Sequence, residues 1–108
     1  MVEYSLDYDA IFYSLADATR RDMLRRLIDA RELTVGELAK KYRLTFAAIS
    51  KHLKVLEKAR LINKRKDGRM QLVSLNPFAL KSVEEYIRQY EALWTERFDT
   101  LDEVLKDL

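Results

Sequence analysis

"LTFAAISKHLKVLEKARLINKRKDGRMQLVSL", residues 44–75, is the stretch that decides the fold of this 108-residue chain. Ile49, Leu53 and Leu56 recur at the spacing of one helix face and form an apolar stripe. Thr45 is a favourable N-cap, so we predict a helix from about residue 46 to residue 59. The side chains that point away from the stripe are those of Phe46, Ala47, Ser50, Lys51, Lys54 and Lys58. Except for Phe46, they are all small, polar or cationic. The predicted helix therefore has an apolar back and a cationic front.

Beyond this helix the hydrophobic period changes from 3.6 to 2, which is the period of a β-strand. Two short runs of this kind, residues 61–66 and 70–75, lie on either side of Asp67 and Gly68. Asp-Gly between alternating apolar residues is a strong hairpin signal. We therefore predict a β-hairpin directly after the helix.

A short helix is also predicted before the helix at residues 46–59, because Thr34 and Glu37 have the spacing of a capping box. Two helices followed by a hairpin make a winged helix-turn-helix, with the helix-turn-helix at residues 34–59 and the wing at residues 61–75. Residues 1–108 are enough for one domain of this type. With two glycines and one proline, the chain has few helix breakers, so we expect a mainly α fold with a small β-hairpin.

Helices are also predicted on both sides of this unit. Apolar residues fall at helical spacing within residues 1–16, and Asp17 can cap a further helix whose inner stripe includes Ile28. Asn76 and the proline after it form a helix start, and no breaker follows within residues 77–108. The apolar residues of this long helix are 3.5 residues apart on average, as in a coiled coil. They are Leu80, Val83, Ile87, Tyr90, Trp94, Phe98, Leu101, Leu105 and Leu108.

The charge of the chain is unevenly distributed, although its net charge is only +2. Residues 20–69 hold sixteen Lys and Arg against six Asp and Glu, whereas the segments on either side each carry a net charge of −4. A basic centre between acidic ends is typical of a surface that binds a polyanion. A solvated basic face without a partner would have the same pattern, so charge alone leaves both interpretations open.

Composition excludes several kinds of site. The chain has no cysteine, which excludes disulfides and thiolate metal or redox centres. We see no signal peptide and no apolar run near the roughly 20 residues that span a bilayer, so we expect a cytoplasmic protein with no membrane partner. The sequence has no catalytic triad, no glycine-rich phosphate loop and no histidine besides His52. We therefore predict no enzymatic activity, no metal site and no cofactor.

The amphipathic helix at residues 46–59 has the composition of a helix that enters the major groove of DNA. That groove is about 12 Å wide and admits one α-helix, whose outer residues must be polar or small. Lys51 and Lys54 can neutralise phosphates, whereas Ala47 and Ser50 allow the backbone to approach base edges. A single surface lysine is usually only solubilising, but the cap, the stripe, the cationic front and the basic wing follow one another here. The predicted DNA-binding residues are Thr45, Phe46, Ala47, Ser50, Lys51, His52, Lys54, Arg65, Lys66 and Arg69.

Three segments, residues 15–27, 33–62 and 64–75, resemble the ArsR/SmtB family of winged-helix transcriptional repressors, and "ISKHLKVLEKA" at 49–59 resembles the family's recognition helix closely. The resemblance implies a homodimer that binds double-stranded DNA at an inverted repeat, with the first and last helices at the interface. The long apolar seam supports a dimer independently, because it exceeds what a small core can cover. The expected interface residues are Tyr8, Ile11, Phe12, Ile87, Tyr90, Trp94, Phe98, Leu101 and Leu105.

The chain also departs from that family. Metal-sensing members place cysteines at positions matching Thr34 and Gly36, or use Asp/His pairs in the last helix, and neither set is present here. Thiol-based metal sensing is therefore not expected, and the sequence identifies no effector. Arg60 stands where the family usually has Gly, which implies either about 1 kcal/mol of strain in a left-handed cap or a different cap.

The alternative function is a winged-helix module that binds another protein and no longer binds DNA. Its binding face would be enriched in apolar and aromatic anchors, whereas the front of the predicted helix is mostly small and cationic. We therefore favour a sequence-specific DNA-binding regulator.

Overall fold

The computed structural model describes residues 7–108, except for the side chains of residues 96, 98 and 100. Its elements are α1 (Tyr8–Leu15), α2 (Ala18–Ala30), β1 (Glu32–Thr34), α3 (Val35–Lys40), α4 (Phe46–Lys58), β2 (Ile62–Asp67), β3 (Met70–Leu75) and α5 (Pro77–Lys106). The strands form one antiparallel sheet in the order β1-β3-β2. The mainly α winged helix-turn-helix fold with a long last helix is therefore confirmed.

Helices α2, α3, α4 and α5 each begin directly after the residue whose side chain was predicted to cap it. Asp17, Thr45 and Asn76 each accept a hydrogen bond from a backbone N–H in the first turn of α2, α4 and α5 respectively. Thr34 and Glu37 form the complete capping box of α3, with N–H to oxygen distances of 2.9 and 3.0 Å. These local hydrogen bonds satisfy backbone donors that the helices leave unpaired.

The sheet has a third strand that the sequence did not predict. Residues 32–34 pair with residues 72–74 of β3, and Leu33 lies opposite Val73. Three residues are too few for a period of 2 to be recognised, and Thr34 also serves as the cap of α3. β1 therefore attaches the start of the helix-turn-helix directly to the wing.

The core is formed where α1, α2, α3, α4 and the sheet meet. Its fully buried apolar residues include Ile11, Met23, Leu27, Leu38, Ile49, Leu53, Leu56, Leu61, Ile62 and Val73. The apolar back of α4 is thus confirmed. Two assignments were wrong. Ile28 is 57% exposed, because the buried stripe of α2 ends at Leu27. Ile11, expected at a dimer interface, is fully buried in the chain's own core and is not accessible to a partner.

Only the beginning of α5 packs on the core. Ala79 and Val83 are buried. The exposed large apolar side chains further along the described part of the helix are Ile87, Tyr90, Leu93, Trp94, Leu101, Val104 and Leu105. The radius of gyration is 18.1 Å, compared with about 13 Å for a compact domain of this length. No helix within residues 7–108 is long and apolar enough to cross a membrane.

Helix α4 ends in a left-handed cap at Arg60, which is one of the two possibilities that the sequence analysis left open. Arg60 has a φ of 62°, and its N–H donates to the carbonyl of Glu57. The N–H of Leu61 donates to the carbonyl of Leu56, which completes a Schellman motif. Arg60 thus holds a conformation that costs about 1 kcal/mol for a residue with a Cβ.

Candidate nucleic-acid interface

The front of α4 is open to solvent. Phe46 is 72% exposed, and Ala47, Lys51 and Lys54 are also exposed, while Ser50 is half-buried. Because the back of the same helix is in the core, these side chains are held on one outward face. A rigid helix with a small and cationic outer face has the shape and charge that a major groove accepts.

The tip of the wing lies on the same side of the molecule as the start of α4. Phe46 and Arg69 both line a shallow depression of about 410 Å³, whose other lining residues are Thr34, Val35, Gly36, Met70 and Gln71. Lys66, Arg69 and Met70 are exposed at the hairpin end. The two segments predicted to contact DNA are thus brought together, and the roles of their residues stay predictions.

Arg65, another predicted DNA-binding residue, is engaged within the chain. Its Nε and Nη2 donate to the two carboxylate oxygens of Glu32, both at 3.0 Å. This bidentate pair lies across the sheet and joins β2 to β1. Lys64 on the same strand lies 3.5 Å from the carboxylate of Glu57 in α4, and its side chain is 16% exposed. The positive charge of both residues is therefore partly neutralised by carboxylates of the chain itself.

His52 lies on the side of α4 that faces α2. Its Nδ1 is 3.2 Å from Nη1 of Arg20 and 3.9 Å from the carboxylate of Asp17, and 19% of the side chain is exposed. No pattern in the sequence indicated that a carboxylate lies beside His52. The backbone N–H of Arg20, together with the charge of its guanidinium, holds the pKa of Asp17 below its ordinary value.

A cluster around Asp22 joins α2 to the end of the short helix α3. Its carboxylate accepts hydrogen bonds from the Tyr42 hydroxyl at 2.6 Å, from Lys41 at 3.2 Å and from Arg25. The Tyr42 hydroxyl first, then the Arg25 and Lys41 side chains, hold the pKa of Asp22 well below its ordinary value. The cluster fixes the orientation of the first helix of the helix-turn-helix.

Sequence reasoning missed the arginines of α2. Arg26 donates to the carbonyls of Leu38 and Glu37 at the end of α3, at 2.9 and 3.1 Å. Arg20 is 8% exposed, and Arg20 and Ser14 are the buried polar residues within the described part of the chain. Arg20 lies at the same helical spacing as the buried apolar residues of α2. An arginine on an otherwise buried stripe was the signal that could have identified it.

The fold and its exposed basic face define a winged helix-turn-helix protein of the DNA-binding type, and comparison with known proteins identifies its family. Residues 17–64 match the model described as "Bacterial regulatory protein, arsR family". The HTH-type transcriptional regulator YuzN of Bacillus subtilis, itself uncharacterized, is 41% identical over 81 residues, which cover 69% of this chain and 88% of YuzN. The chain belongs to the ArsR family, and it is a DNA-binding transcriptional regulator.

Solved structures of the family have the same fold. A crystal structure of an ArsR family transcriptional regulator superposes with a TM-score of 0.76 at 33% identity, over 82% of this chain and 90% of that one. Two other relatives differ in regulatory effect. SdpR of Bacillus subtilis, named a transcriptional repressor, is 31% identical over 66% of this chain and 78% of its own length. HlyU of Vibrio cholerae, named a transcriptional activator, is 32% identical over 70% and 69% respectively.

The structure offers no cluster of candidate metal ligands in the part of the chain that it describes. Within residues 7–108, apart from the three undescribed side chains, no three His, Cys, Asp or Glu residues form a group able to hold an ion. The positions Thr34 and Gly36 belong instead to the cap and first turn of α3.

Proposed function

We propose that this chain acts as a cytoplasmic homodimeric repressor that occupies an inverted-repeat operator. Two copies of α4 enter successive major grooves, and the wings lie along the adjacent backbone or minor groove. Blocking a promoter by occupancy requires no catalytic group. The proposal depends above all on one observation, the exposed apolar face of α5.

That face is too large for an isolated chain. Ile87, Tyr90, Leu101 and Leu105 are each between 47% and 55% exposed, and Trp94 is 39% exposed. Soluble monomers rarely expose a large contiguous apolar patch, and these five exposed residues belong to the apolar seam of one helix. A second copy is the occupant that fits best, because residues 3.5 apart on a helix are arranged to pack against an equivalent helix.

The first helix extends the same face. Tyr8 of α1 stacks on Tyr86 of α5 with ring centroids 4.6 Å apart, and Phe12 contacts the same ring in a tilted arrangement with centroids 5.8 Å apart. Tyr86 in turn contacts Tyr90, and the two hydroxyls are 3.0 Å apart. This aromatic group holds α1 against α5, which supports an interface formed by both helices. Phe98, also assigned to the interface, has a side chain outside the described residues.

We propose repression and not activation because the proposed mode of action is occupancy of DNA. A basic face and a dimerisation face are sufficient for a protein that blocks a promoter by binding to it. SdpR, named a repressor, gives a precedent among its relatives, whereas HlyU is named an activator. A transcription assay with a promoter that overlaps the operator distinguishes the two effects. Added protein should reduce transcription, and an increase would contradict the proposal.

Salt dependence tests the DNA-binding mode. Affinity for DNA upstream of the protein's own gene, measured by fluorescence anisotropy, should fall about 10³–10⁵-fold between 50 and 200 mM salt if 6–10 phosphates are contacted. Sedimentation of the same complex should give two chains per duplex. One chain per duplex, or no binding at 50 mM salt, would contradict the proposed mode.

A further inference from the structure

The buried arginine of α2 lies where three helices meet. Arg20 Nε donates to the Ser14 carbonyl at 2.7 Å, and Nη2 donates to the Tyr13 carbonyl at 3.1 Å. Both carbonyls are in the last turn of α1, where the helix dipole favours a cation. The guanidinium also lies over the Tyr13 ring, 5.3 Å from its centroid. The first two N–H groups thus attach α2 to the end of α1.

The third contact reaches the recognition helix. Arg20 Nη1 lies 3.2 Å from Nδ1 of His52 in α4. A guanidinium can only donate, so Nδ1 of His52 must accept, and the ring is the neutral tautomer with its hydrogen on Nε2. One planar fork therefore joins α1 and α4 through donors at fixed angles. A buried guanidinium is costly unless its donors are satisfied, so these contacts hold one another in place.

We propose that Arg20 is a positioning residue for DNA binding, which fixes the recognition helix α4 relative to the dimerisation helix α1. The inference rests on the proposed dimer, because the angle between these helices sets where two copies of α4 meet the DNA. Arg20 itself does not reach DNA in this account, as only 8% of it is exposed. It acts through His52.

The neighbouring residue provides a matched control. Arg21 also donates to a carbonyl of α1, that of Leu15 at 2.8 Å, but the bond is exposed. Arg20→Lys keeps the charge and loses the three-point fork, while Arg21→Lys makes the same change outside the link to α4. We expect Arg20→Lys to weaken binding to the inverted repeat about tenfold, and Arg21→Lys to leave it within about twofold.

The salt dependence separates positioning from a phosphate contact. For Arg20→Lys the slope of log affinity against log salt should stay that of the wild type, because no phosphate contact is removed. Binding is measured well below the unfolding temperature of each variant, so that a loss of stability alone does not lower it. An unchanged affinity for Arg20→Lys with wild-type DNA binding intact would overturn the inference, as would a slope lower by about one. Absence of binding by the wild type would instead overturn the proposed function.

His52→Leu removes the acceptor of the contact with Arg20 and places an apolar side chain in a mostly buried position. It should also weaken binding about tenfold with an unchanged salt slope. In the double variant the two losses should not add, because both remove one contact. Additive losses, no loss in His52→Leu, or a reduced slope for it would each overturn the role of Arg20. If Arg20→Lys does not fold, the affinity and the salt slope of His52→Leu test the inference in its place.

Discussion

On the exposed front of α4, Ser50 and Lys54 are one turn apart and have different expected tasks. The lysine is exposed at the end of a flexible stem and can meet phosphates of any sequence. The half-buried serine lies closer to the helix backbone, where a side chain meets base edges in the groove. The chemistry of each residue therefore predicts a separate effect on affinity and on specificity.

Lys54→Glu should weaken binding to operator and unrelated DNA alike, and the salt slope should fall by at least about one. Ser50→Ala should instead change the relative affinities for operators altered at single base pairs, by about 1–3 kcal/mol at the position read. Anisotropy titrations on a panel of such operators measure both effects. If the two variants gave the same pattern across the panel, this division of tasks would be wrong.

The left-handed cap at Arg60 gives a prediction for stability. Arg60→Gly and Arg60→Ala both remove the long side chain, but only glycine relieves the steric conflict at a φ of 62°. The glycine variant should be more stable than the alanine variant by about 1 kcal/mol in urea unfolding. An alanine variant as stable as the glycine variant would show that the cap carries no strain.

Among the elements, the short helix α3 depends most on contacts outside itself. It has six residues, and it is attached to α2 through Asp22 and Arg26 and to the sheet through β1. A helix of that length has little stability of its own in water. The orientation of the helix-turn-helix is therefore expected to respond to the Asp22 cluster.

Acid should weaken that cluster. The pKa of Asp22 is lowered in the folded chain, so its contribution is present above the unfolded-state value of about 3.9 and is lost as the pH falls toward the folded-state value. Asp22→Asn should cost about 1 kcal/mol at pH 7, a modest value because the side chain is 24% exposed. The difference from wild type should shrink below pH 4 in urea unfolding. Asp29→Asn, at an exposed position of the same helix, is the control. If the difference in unfolding free energy between Asp22→Asn and the wild type did not change with pH, this role of Asp22 would be contradicted.

Sequence patterns predicted the elements whose signals are local. Thr45, the Asp67–Gly68 turn and Asn76 each act on residues a few positions away, so their effects could be anticipated. β1, by contrast, pairs across the sheet, and the partners of Arg20 and Asp22 come from other helices. Arg65 has the composition of a DNA contact, yet Glu32, 33 residues away in the chain, holds it in an ion pair. Contacts of this kind depend on packing, which a periodicity does not encode.

At the scale of the whole molecule, the chain consists of a small domain and a 30-residue helix of which only the beginning packs on the core. In the proposed dimer, a partner covers the exposed apolar residues beyond Val83. Symmetry makes a second copy sufficient, because one face serves both chains of a twofold dimer.

Leu101→Glu should therefore weaken the dimer by at least about 3 kcal/mol, or more than a hundredfold, because it buries a charge in an apolar interface. Sedimentation equilibrium measures the dissociation constant, and Glu103→Gln on the same helix is the control. Operator affinity should fall in parallel, since each separate chain holds one half-site. A wild-type chain that remains monomeric at tens of micromolar would contradict the dimer.

The most direct test of the central claim, that two copies of α4 bind successive major grooves, is selection of preferred sites from random-sequence DNA by the wild-type protein. The selected sites should be inverted repeats whose half-site centres are about 10–11 base pairs apart. Enrichment of single asymmetric sites, or no enrichment at 50 mM salt, would contradict the account.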